Sequence, residues 1–296
     1  MAIPIVDAHH HIWRRADQPW LQGPTVPRIF GEYDAIKRDY PIDEFLSDLE
    51  GTGVVKSVYV QTNWAKDRAV EEVEWVQSIA DATGWPHAIV GFADFHDDGV
   101  DAVLAAHARS PLMRGVRQQL HWHDNPQYRF ASGPNEMGSA GFRKNLAKLA
   151  DYGWLFELQV FAGQMADGAD LVAAFPGLTF VLEHAGMLVD TSAAGMAEWR
   201  EGMKRLADQP NMHTKLSGLG TFIHRNDPAH IADIVGETVE IFGAGRCVWG
   251  SNFPIEKIWT DYGAIVSAVR AAVADLAEAD QRAILHDNAV ALYRIE

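Results

Sequence analysis

Short apolar runs recur along the chain, and the stretches between them repeat apolar residues at helical spacing. Several of these runs are apolar on both faces, which is typical of parallel strands covered by helices on each side. The regular alternation of the two patterns predicts an α/β fold. The eight runs that we interpret as strands span residues 5–13, 54–62, 88–95, 113–122, 154–160, 178–184, 213–217 and 247–251.

The stretches between the runs carry signals for the ends of helices. Between the second and third runs, valines recur at helical spacing, with Asp67 as a start signal and Gly84 as a stop signal. After the seventh run, Asp227 followed by Pro228 is typical of an N-cap and a first-turn proline. A last helix is predicted over residues 280–293.

Eight strand-helix units predict a (β/α)8 TIM barrel that forms a single domain over residues 1–296. The alternative is an open doubly wound sheet, but no Gly-x-Gly-x-x-Gly follows the first strand, so dinucleotide binding loses its main support. Two connections, residues 14–39 after strand one and residues 118–142 after strand four, are long enough for lids or binding loops. In a barrel they would meet over the same mouth.

Polar residues collect where the predicted strands end, which is where a TIM barrel places its chemistry. His9 and His11 lie two residues apart on strand one and are expected to point the same way. His10 should point to the opposite side and pack, and we expect Asp7 to face away from its histidine neighbours, where a structural acceptor role is considered. Further polar candidates at strand ends are Gln61, Arg117, Glu157, Gln159, Glu183, His184, Lys215, Ser217 and Asn252.

Some of these candidates have two interpretations. Lys215 could contact substrate or make a structural salt bridge, and the sequence leaves both open. Arg117, at a strand end in an acidic protein, suits recognition of a carboxylate or polarisation of a carbonyl. Aromatic side chains in the loops could shape a substrate pocket or simply pack. The aromatic candidates are Trp20, Trp64, Trp122 and Tyr128.

The composition narrows the classes of partner. The formal net charge of −15, with no basic cluster, argues against binding to nucleic acid or to an anionic membrane. No stretch is apolar enough to cross a membrane, and the amino terminus shows no targeting pattern, so a cytoplasmic location is expected. The single cysteine, Cys247, excludes a thiolate zinc cluster within one subunit. A small-molecule substrate is expected, and a homo-oligomer is compatible with the sequence.

An ordered set of short motifs resembles the amidohydrolase superfamily, and most closely its lactonase-like branch, which includes fuconolactonases and pyrone-dicarboxylate lactonases. The stretches that carry the resemblance are Val6-Asp7-Ala8-His9-His10-His11-Ile12-Trp13, Val58-Tyr59-Val60-Gln61, Gly115-Val116-Arg117-Gln118, Leu182-Glu183-His184-Ala185-Gly186, Lys215-Leu216-Ser217-Gly218, Gly250-Ser251-Asn252-Phe253-Pro254 and Asp287-Asn288-Ala289 with Tyr293.

The resemblance implies roles for particular residues. His9 and His11 would be the strand-one pair, His184 the strand-six histidine and Arg117 a substrate-binding cation. Members of the family generally place an aspartate where this chain has Asn252, and an amide cannot act as a general base. Either one divalent ion, with Zn²⁺ preferred, is held by His9, His11 and His184, or the reaction proceeds without metal.

The leading hypothesis is hydrolysis of a lactone or a similar activated ester of a small acidic or sugar-derived metabolite. Activated water would attack the carbonyl, Arg117 would bind a carboxylate or the oxyanion, and Asn252 would position water. One alternative is metal-dependent decarboxylation of an aromatic acid, which also occurs in the superfamily. Another is a barrel that binds a metabolite without transforming it. The predicted substrate contacts are Arg117, Gln61, Trp64, Trp122, Tyr128 and Lys215.

Overall fold

The computed structural model describes residues 3–296 and confirms the TIM barrel. Eight parallel strands follow one another around the sheet in chain order. The barrel is closed just beyond the last strand, where the backbone N–H of His11 donates to the carbonyl of Phe253 at 2.8 Å and that of Asn252 donates to His9 at 2.7 Å. The strands are β1 (Ile5–His10), β2 (Val54–Val60), β3 (Ala88–Gly91), β4 (Met113–Gln119), β5 (Leu155–Gln159), β6 (Phe180–Leu182), β7 (Met212–Leu216) and β8 (Cys247–Trp249).

Helices surround the barrel, and two of the predicted end signals are seen directly. The helix between β2 and β3 ends at Gly84, whose φ of +78° is the left-handed conformation that glycine adopts without strain. The side chain of Asp227 accepts from the backbone N–H groups of Ala229 and His230 at 3.2 and 3.3 Å and so caps its helix. No helix within residues 3–296 is both long and apolar enough to span a membrane.

The helix predicted over residues 280–293 is interrupted. It consists of two short α-helices with a π-helical segment, Ala283–Asp287, between them. The α-helices of the molecule are α1 (Pro19–Gln22), α2 (Ile42–Leu49), α3 (Ala69–Thr83), α4 (Val100–His107), α5 (Ala140–Leu146), α6 (Leu149–Tyr152), α7 (Met165–Ala173), α8 (Ala193–Ala207), α9 (Pro228–Phe242), α10 (Tyr262–Ala272), α11 (Glu278–Arg282) and α12 (Asn288–Leu292).

The inside of the barrel is filled by small and branched apolar side chains, as expected for this fold. The carboxyl-terminal segment contributes Ala289, Tyr293 and Ile295 to this cluster and closes the foot of the barrel. The strand residues in the same cluster are Val6, Ala8, Val58, Val60, Ala88, Val90, Leu155, Val181 and Val248. A larger apolar layer lies between the strands and the helices. The opposite end of the barrel is thereby left for polar groups.

The two long connections meet over the mouth of the barrel, as their positions predict. The connection after β1 contributes Trp20, Arg28 and Phe30 to the wall of a cleft. The connection after β4 contributes residues to the same wall, among them Arg129 and Phe130. The cleft therefore has a rigid floor of strand ends and walls made of loop residues.

Candidate functional site

A bulge in β1 sets the directions of the side chains around the first histidines. The pairing with β2 shifts register between Asp7 and His10, so strict alternation of side chains fails there. Asp7 points outward and accepts from the hydroxyl of Tyr262 at 2.7 Å, which supports the structural role considered for it. The rings of His9 and His11 lie together, with their centroids 5.0 Å apart.

His10 packs on the outer side of the barrel, as predicted. Its ring stacks on that of Phe45 of α2, with centroids 3.9 Å apart, and its Nε2 lies 3.0 Å from Oγ of Ser57. Burial lowers the pKa of His10 well below its usual value. His10 is therefore a neutral packing residue, separate from the cleft.

The end of β6 brings two neighbouring side chains to the site. His184 and Ala185 have φ values of +55° and +47°, a conformation that non-glycine residues rarely adopt. This local kink lets Glu183 and His184 both contact the group around His9. The ring of His184 lies 4.8 Å from that of His9, and its Nδ1 lies 2.8 Å from Oγ of Ser217.

A buried network of charges lies directly beneath the histidines. Arg117 Nη1 lies 3.0 Å from Oε2 of Glu183, and His9 Nδ1 lies 3.2 Å from Oε1 of the same carboxylate. Lys215 Nζ lies 2.7 Å from Oε1 of Glu157 and 3.4 Å from Nδ1 of His9. Lys215 thus makes the structural salt bridge that the sequence left open, below the cleft wall, and its contact with substrate stays a prediction.

The two carboxyl groups of this network have different environments. Burial raises the pKa of Glu157 to about 8, against the opposing charge of Lys215, and the hydroxyl of Tyr293 donates to its Oε1 at 2.8 Å. Burial also disfavours ionisation of Glu183, but Arg117 together with His9 and His184 outweighs it, and the pKa of Glu183 lies well below its usual value. Glu183 is therefore the ionised carboxylate of the site at neutral pH.

The histidines present unprotonated nitrogens. His11 Nδ1 lies 2.7 Å from the carbonyl oxygen of Val60, and because a carbonyl only accepts, Nδ1 carries the proton and Nε2 the lone pair. Nδ1 of His9 lies between the carboxylate of Glu183 at 3.2 Å and the ammonium of Lys215 at 3.4 Å, and Nε2 of His9 is buried without a hydrogen-bond partner among residues 3–296. Burial lowers the pKa of His11 to about 3 and that of His184 to about 4.

Three of these side chains are placed to hold a metal ion. His9, Glu183 and His184 each offer one ligand atom, and the three atoms lie within 4.8 Å of one another. Two neutral imidazoles and a carboxylate are a donor set that Zn²⁺ accepts, and the unpartnered Nε2 of His9 supplies a lone pair. The residues therefore fit a divalent ion. The geometry differs from the predicted set in that Glu183 takes the place of His11.

The cleft above this network encloses about 850 Å³, its open mouth included. His11, His184, Arg117, Gln61 and Asn252 reach its wall, so most of the residues predicted at strand ends converge there. No aspartate or glutamate within residues 3–296 lines it. The remaining lining residues are Trp13, Trp20, Arg28, Ile29, Phe30, Thr62, Asn63, Gln119, His121, Gln127, Arg129, Phe130, Gln159, Met187, Thr221, Phe222 and Ile255.

Three aromatic residues predicted to contact substrate lie elsewhere. Trp64 packs against Trp75 of α3, with ring centroids 5.8 Å apart. The ring of Trp122 lies under the guanidinium of Arg129, and Tyr128 packs against its own loop, so neither reaches the cleft wall. Loop residues have no periodicity that fixes their direction. The three side chains pack in this structure, and their contact with substrate stays a prediction.

Asn252 is connected to a buried carboxyl group through the hydroxyl of Thr221. Its backbone φ is +55°, and its Nδ2 donates to Oγ1 of Thr221 at 3.3 Å. The hydroxyl of Thr221 donates to Oε1 of Glu256 at 2.8 Å, and Nε1 of Trp259 donates to Oε2 at 2.9 Å. Burial raises the pKa of Glu256 to about 7. The amide of Asn252 is thus connected through Thr221 to the carboxyl group of Glu256.

Comparison with known proteins places these features in context. A family model described as amidohydrolase matches residues 6–295. An uncharacterized protein of Sinorhizobium fredii, y4mH, is 33% identical over 99% of both chains. An L-fucono-1,5-lactonase of Burkholderia ambifaria is 28% identical over 98% of this chain and 96% of its own. A crystal structure of an amidohydrolase from Burkholderia multivorans with bound zinc superposes with a TM-score of 0.83 at 24% identity, covering 99% of this chain and 100% of that one.

Proposed function

The chain belongs to the amidohydrolase family, and we propose that it hydrolyses a lactone or a similar activated ester of a small metabolite. Attack by water on the ring carbonyl would open the lactone to the hydroxy acid. The similarity to L-fucono-1,5-lactonase along nearly the whole chain supports this reaction class.

One observation carries the proposal: Nδ1 of His11 donates to the carbonyl of Val60, which leaves its Nε2 with a lone pair at the cleft wall, and Nε2 of His9 is buried without a hydrogen-bond partner among residues 3–296. Orientation of imidazoles by a second hydrogen bond is typical of metal-binding and catalytic histidines. Their low pKa values keep the rings neutral across the physiological range. The site can therefore bind a cation or accept a hydrogen bond from water without first losing protons.

His9, Glu183 and His184 would hold the metal ion. A bound Zn²⁺ would lower the pKa of a water molecule and polarise a carbonyl. The low pKa values of His11 and His184 make them weak general bases near pH 7, which favours ligand and hydrogen-bond-acceptor roles for these rings over proton abstraction unaided by metal.

The remaining polar side chains would position the reactants. Arg117 reaches the cleft wall with its Nε buried and without a partner among residues 3–296, so it can donate to the developing oxyanion. Asn252 reaches the wall at the end of β8 and can orient the attacking water through its amide. Gln61, whose backbone carbonyl accepts from Arg117, would contact the substrate beside it.

The experiment is a screen of a panel of γ- and δ-lactones, both sugar-derived and acidic, with a pH indicator that reports the acid formed. We expect turnover of at least one lactone and its loss in His184→Gln, with metal content measured by elemental analysis in both proteins. A matched control is His286→Gln, which changes a histidine on the outer π-helical segment. Absence of turnover on every lactone, with the protein folded and metal-loaded, would overturn the proposal, and release of CO₂ from aromatic acids would favour a decarboxylase.

A further inference from the structure

We propose that the substrate carries a carboxylate away from its reacting carbonyl, and that Arg28 and Arg129 at the mouth of the cleft bind this group. The inference rests on the proposed function and specifies its substrate class. It assigns the anion to two loop residues, in place of the strand residue Arg117 to which the sequence pointed.

Arg117 is already committed to the protein. Its Nη1 pairs with Glu183 at 3.0 Å, and its Nη2 donates to the backbone carbonyl of Gln61. The carboxylate neutralises the guanidinium where both are buried. A second carboxylate on the substrate would have to compete with Glu183 for the same charge, so Arg117 is poorly suited to hold one.

Arg28 has a free guanidinium. Its side chain forms no hydrogen bond or salt bridge with any residue from 3 to 296, and its Nε is buried without a partner. The guanidinium lies over the rings of Trp20 and Tyr33, at 5.3 and 5.7 Å from their centroids. These rings hold the cation at the cleft wall and leave its N–H groups available to an anion.

Arg129 approaches the cleft from the other long loop. Its Nε and Nη2 donate to the backbone carbonyls of His123 and Asp124 at 2.5 and 2.7 Å, which fixes the side chain but does not neutralise its charge. Nη1 donates to nothing within residues 3–296. Arg129 therefore offers a fixed positive charge to a ligand.

Neither Arg28 nor Arg129 has an acidic partner among residues 3–296, and the cleft wall described above has three arginines and no carboxylate. Arginines outside the cleft that lack a carboxylate donate to backbone carbonyls, as Arg246 does, whereas the Arg28 side chain donates to no described residue. The two loop arginines therefore bring positive charge without a neutralising carboxylate to the cleft of a chain whose net charge is −15. The arginines of this chain that do pair with carboxylates include Arg14, Arg38, Arg68, Arg109, Arg200, Arg205, Arg225 and Arg282.

The apolar part of the wall indicates the rest of the ligand. Trp20, Phe30, Phe130 and Phe222 line the same cleft as the two arginines. Aromatic side chains of this kind favour a flat or weakly polar ring over an extended polyol. The chemical class is therefore a small lactone with a ring that packs on aromatic groups and at least one carboxylate.

The binding test uses citrate as a polycarboxylate probe and its neutral trimethyl ester as the matched ligand, with isothermal titration calorimetry and tryptophan fluorescence as readouts. Citrate should bind and the ester should not. Arg28→Gln and Arg129→Gln should each weaken citrate binding by roughly 10- to 100-fold, the value of one charge-assisted contact. The control Arg109→Gln, on an exposed ion pair, should bind like the parent. Equal binding of citrate by the parent and both variants would overturn the inference.

This readout does not require turnover, so the inference and the proposed function can fail separately. A lactone-hydrolysing parent that binds no citrate and prefers neutral lactones would overturn the arginine assignment and leave the reaction class standing. A turnover test compares a carboxylated lactone with its methyl ester. In both variants the KM should rise for the carboxylated lactone and stay unchanged for the methyl ester. A change in kcat for the ester as well would instead indicate general damage to the loops and count against the inference.

Discussion

The guanidinium of Arg117 and the carboxylate of Glu183 form an ion pair at 3.0 Å, and both side chains are buried beneath the cleft. One charge comes from β4 and the other from the end of β6, so the pair spans the interior of the barrel. Because Glu183 also lies 3.2 Å from Nδ1 of His9, the pair connects the buried charges to the histidine group.

Replacing one member of this pair should destabilise the protein strongly. Arg117→Met leaves the carboxylate of Glu183 buried without its cation, at an expected cost of about 3–5 kcal/mol in the free energy of unfolding. Urea denaturation followed by circular dichroism measures this. The double variant Arg117→Met, Glu183→Gln should recover part of the loss, and Arg109→Met on an exposed pair should cost less than about 1 kcal/mol. Equal losses for Arg117→Met and Arg109→Met would contradict the buried-pair account.

The pH dependence of stability should change in Glu256→Gln. The folded protein holds a proton on Glu256 up to about pH 7, whereas the unfolded chain releases it near the ordinary glutamate pKa of 4.5. Stability from this group is therefore present at low pH and falls as pH rises from 4.5 to 7, by about 3 kcal/mol in total. Because glutamine does not titrate, the free energy of unfolding of the variant should rise relative to that of the parent by that amount between pH 5 and 8. Urea denaturation measures this difference. A difference that is constant with pH would show that Glu256 is ionised in the folded state throughout.

Asn252→Asp should destabilise this protein. The substitution removes the donor to Thr221 and places a second carboxyl beside that of Glu256, so the free energy of unfolding should fall by about 1–3 kcal/mol at pH 8. The loss should be smaller at pH 5, where Glu256 is protonated. Asn252→Gly, which accepts the φ of +55° without adding charge, separates the lost donor from the added repulsion. A more stable Asp variant at pH 8 would refute this account.

Gly250 allows β8 to approach β1 closely. A Cβ at this position would lie 2.6 Å from Cβ and 2.8 Å from the backbone nitrogen of His9. Gly250→Ala should therefore lower stability by about 1–3 kcal/mol and displace His9, with loss of activity. Gly236→Ala, in the interior of α9 with no atom near the new methyl, should raise stability by about 0.5–1 kcal/mol. Thermal denaturation tests whether the two substitutions change stability in opposite directions. A stable, active Gly250→Ala variant would contradict the close packing.

The strands could be predicted from sequence because buried parallel strands are short, apolar and separated by amphipathic helices. Their starts lie within two residues of the predicted starts, but the predicted ends run too far, as at β1 and β6. At these ends the chain leaves the hydrogen-bonded ladder of the sheet to form the site, and the pattern of apolar residues does not show where it leaves. His184, with its left-handed backbone, marks one such departure.

The departure of the chain from the sheet at the strand ends also explains which site residues could be predicted from sequence. His9 and His11 were accessible from their spacing, and the structure brings Arg117, His184 and Asn252 to the same cleft. Glu183 could not be assigned, because alternation places it opposite His184 and only the kink brings both side chains to the site. Arg28 and Arg129 lie in loops without periodicity, so only the three-dimensional structure shows that both reach the cleft without an acidic partner among residues 3–296.

The hydroxyl of Tyr293 donates a hydrogen bond to Glu157, whose other partner, Lys215, lies beside His9. In chain order, His9 is therefore synthesised long before β8 and the tyrosine that complete its surroundings. A nascent chain on the ribosome that ends before Tyr293 holds the histidines without this support. The arrangement around His9 can form only after these later segments have been translated.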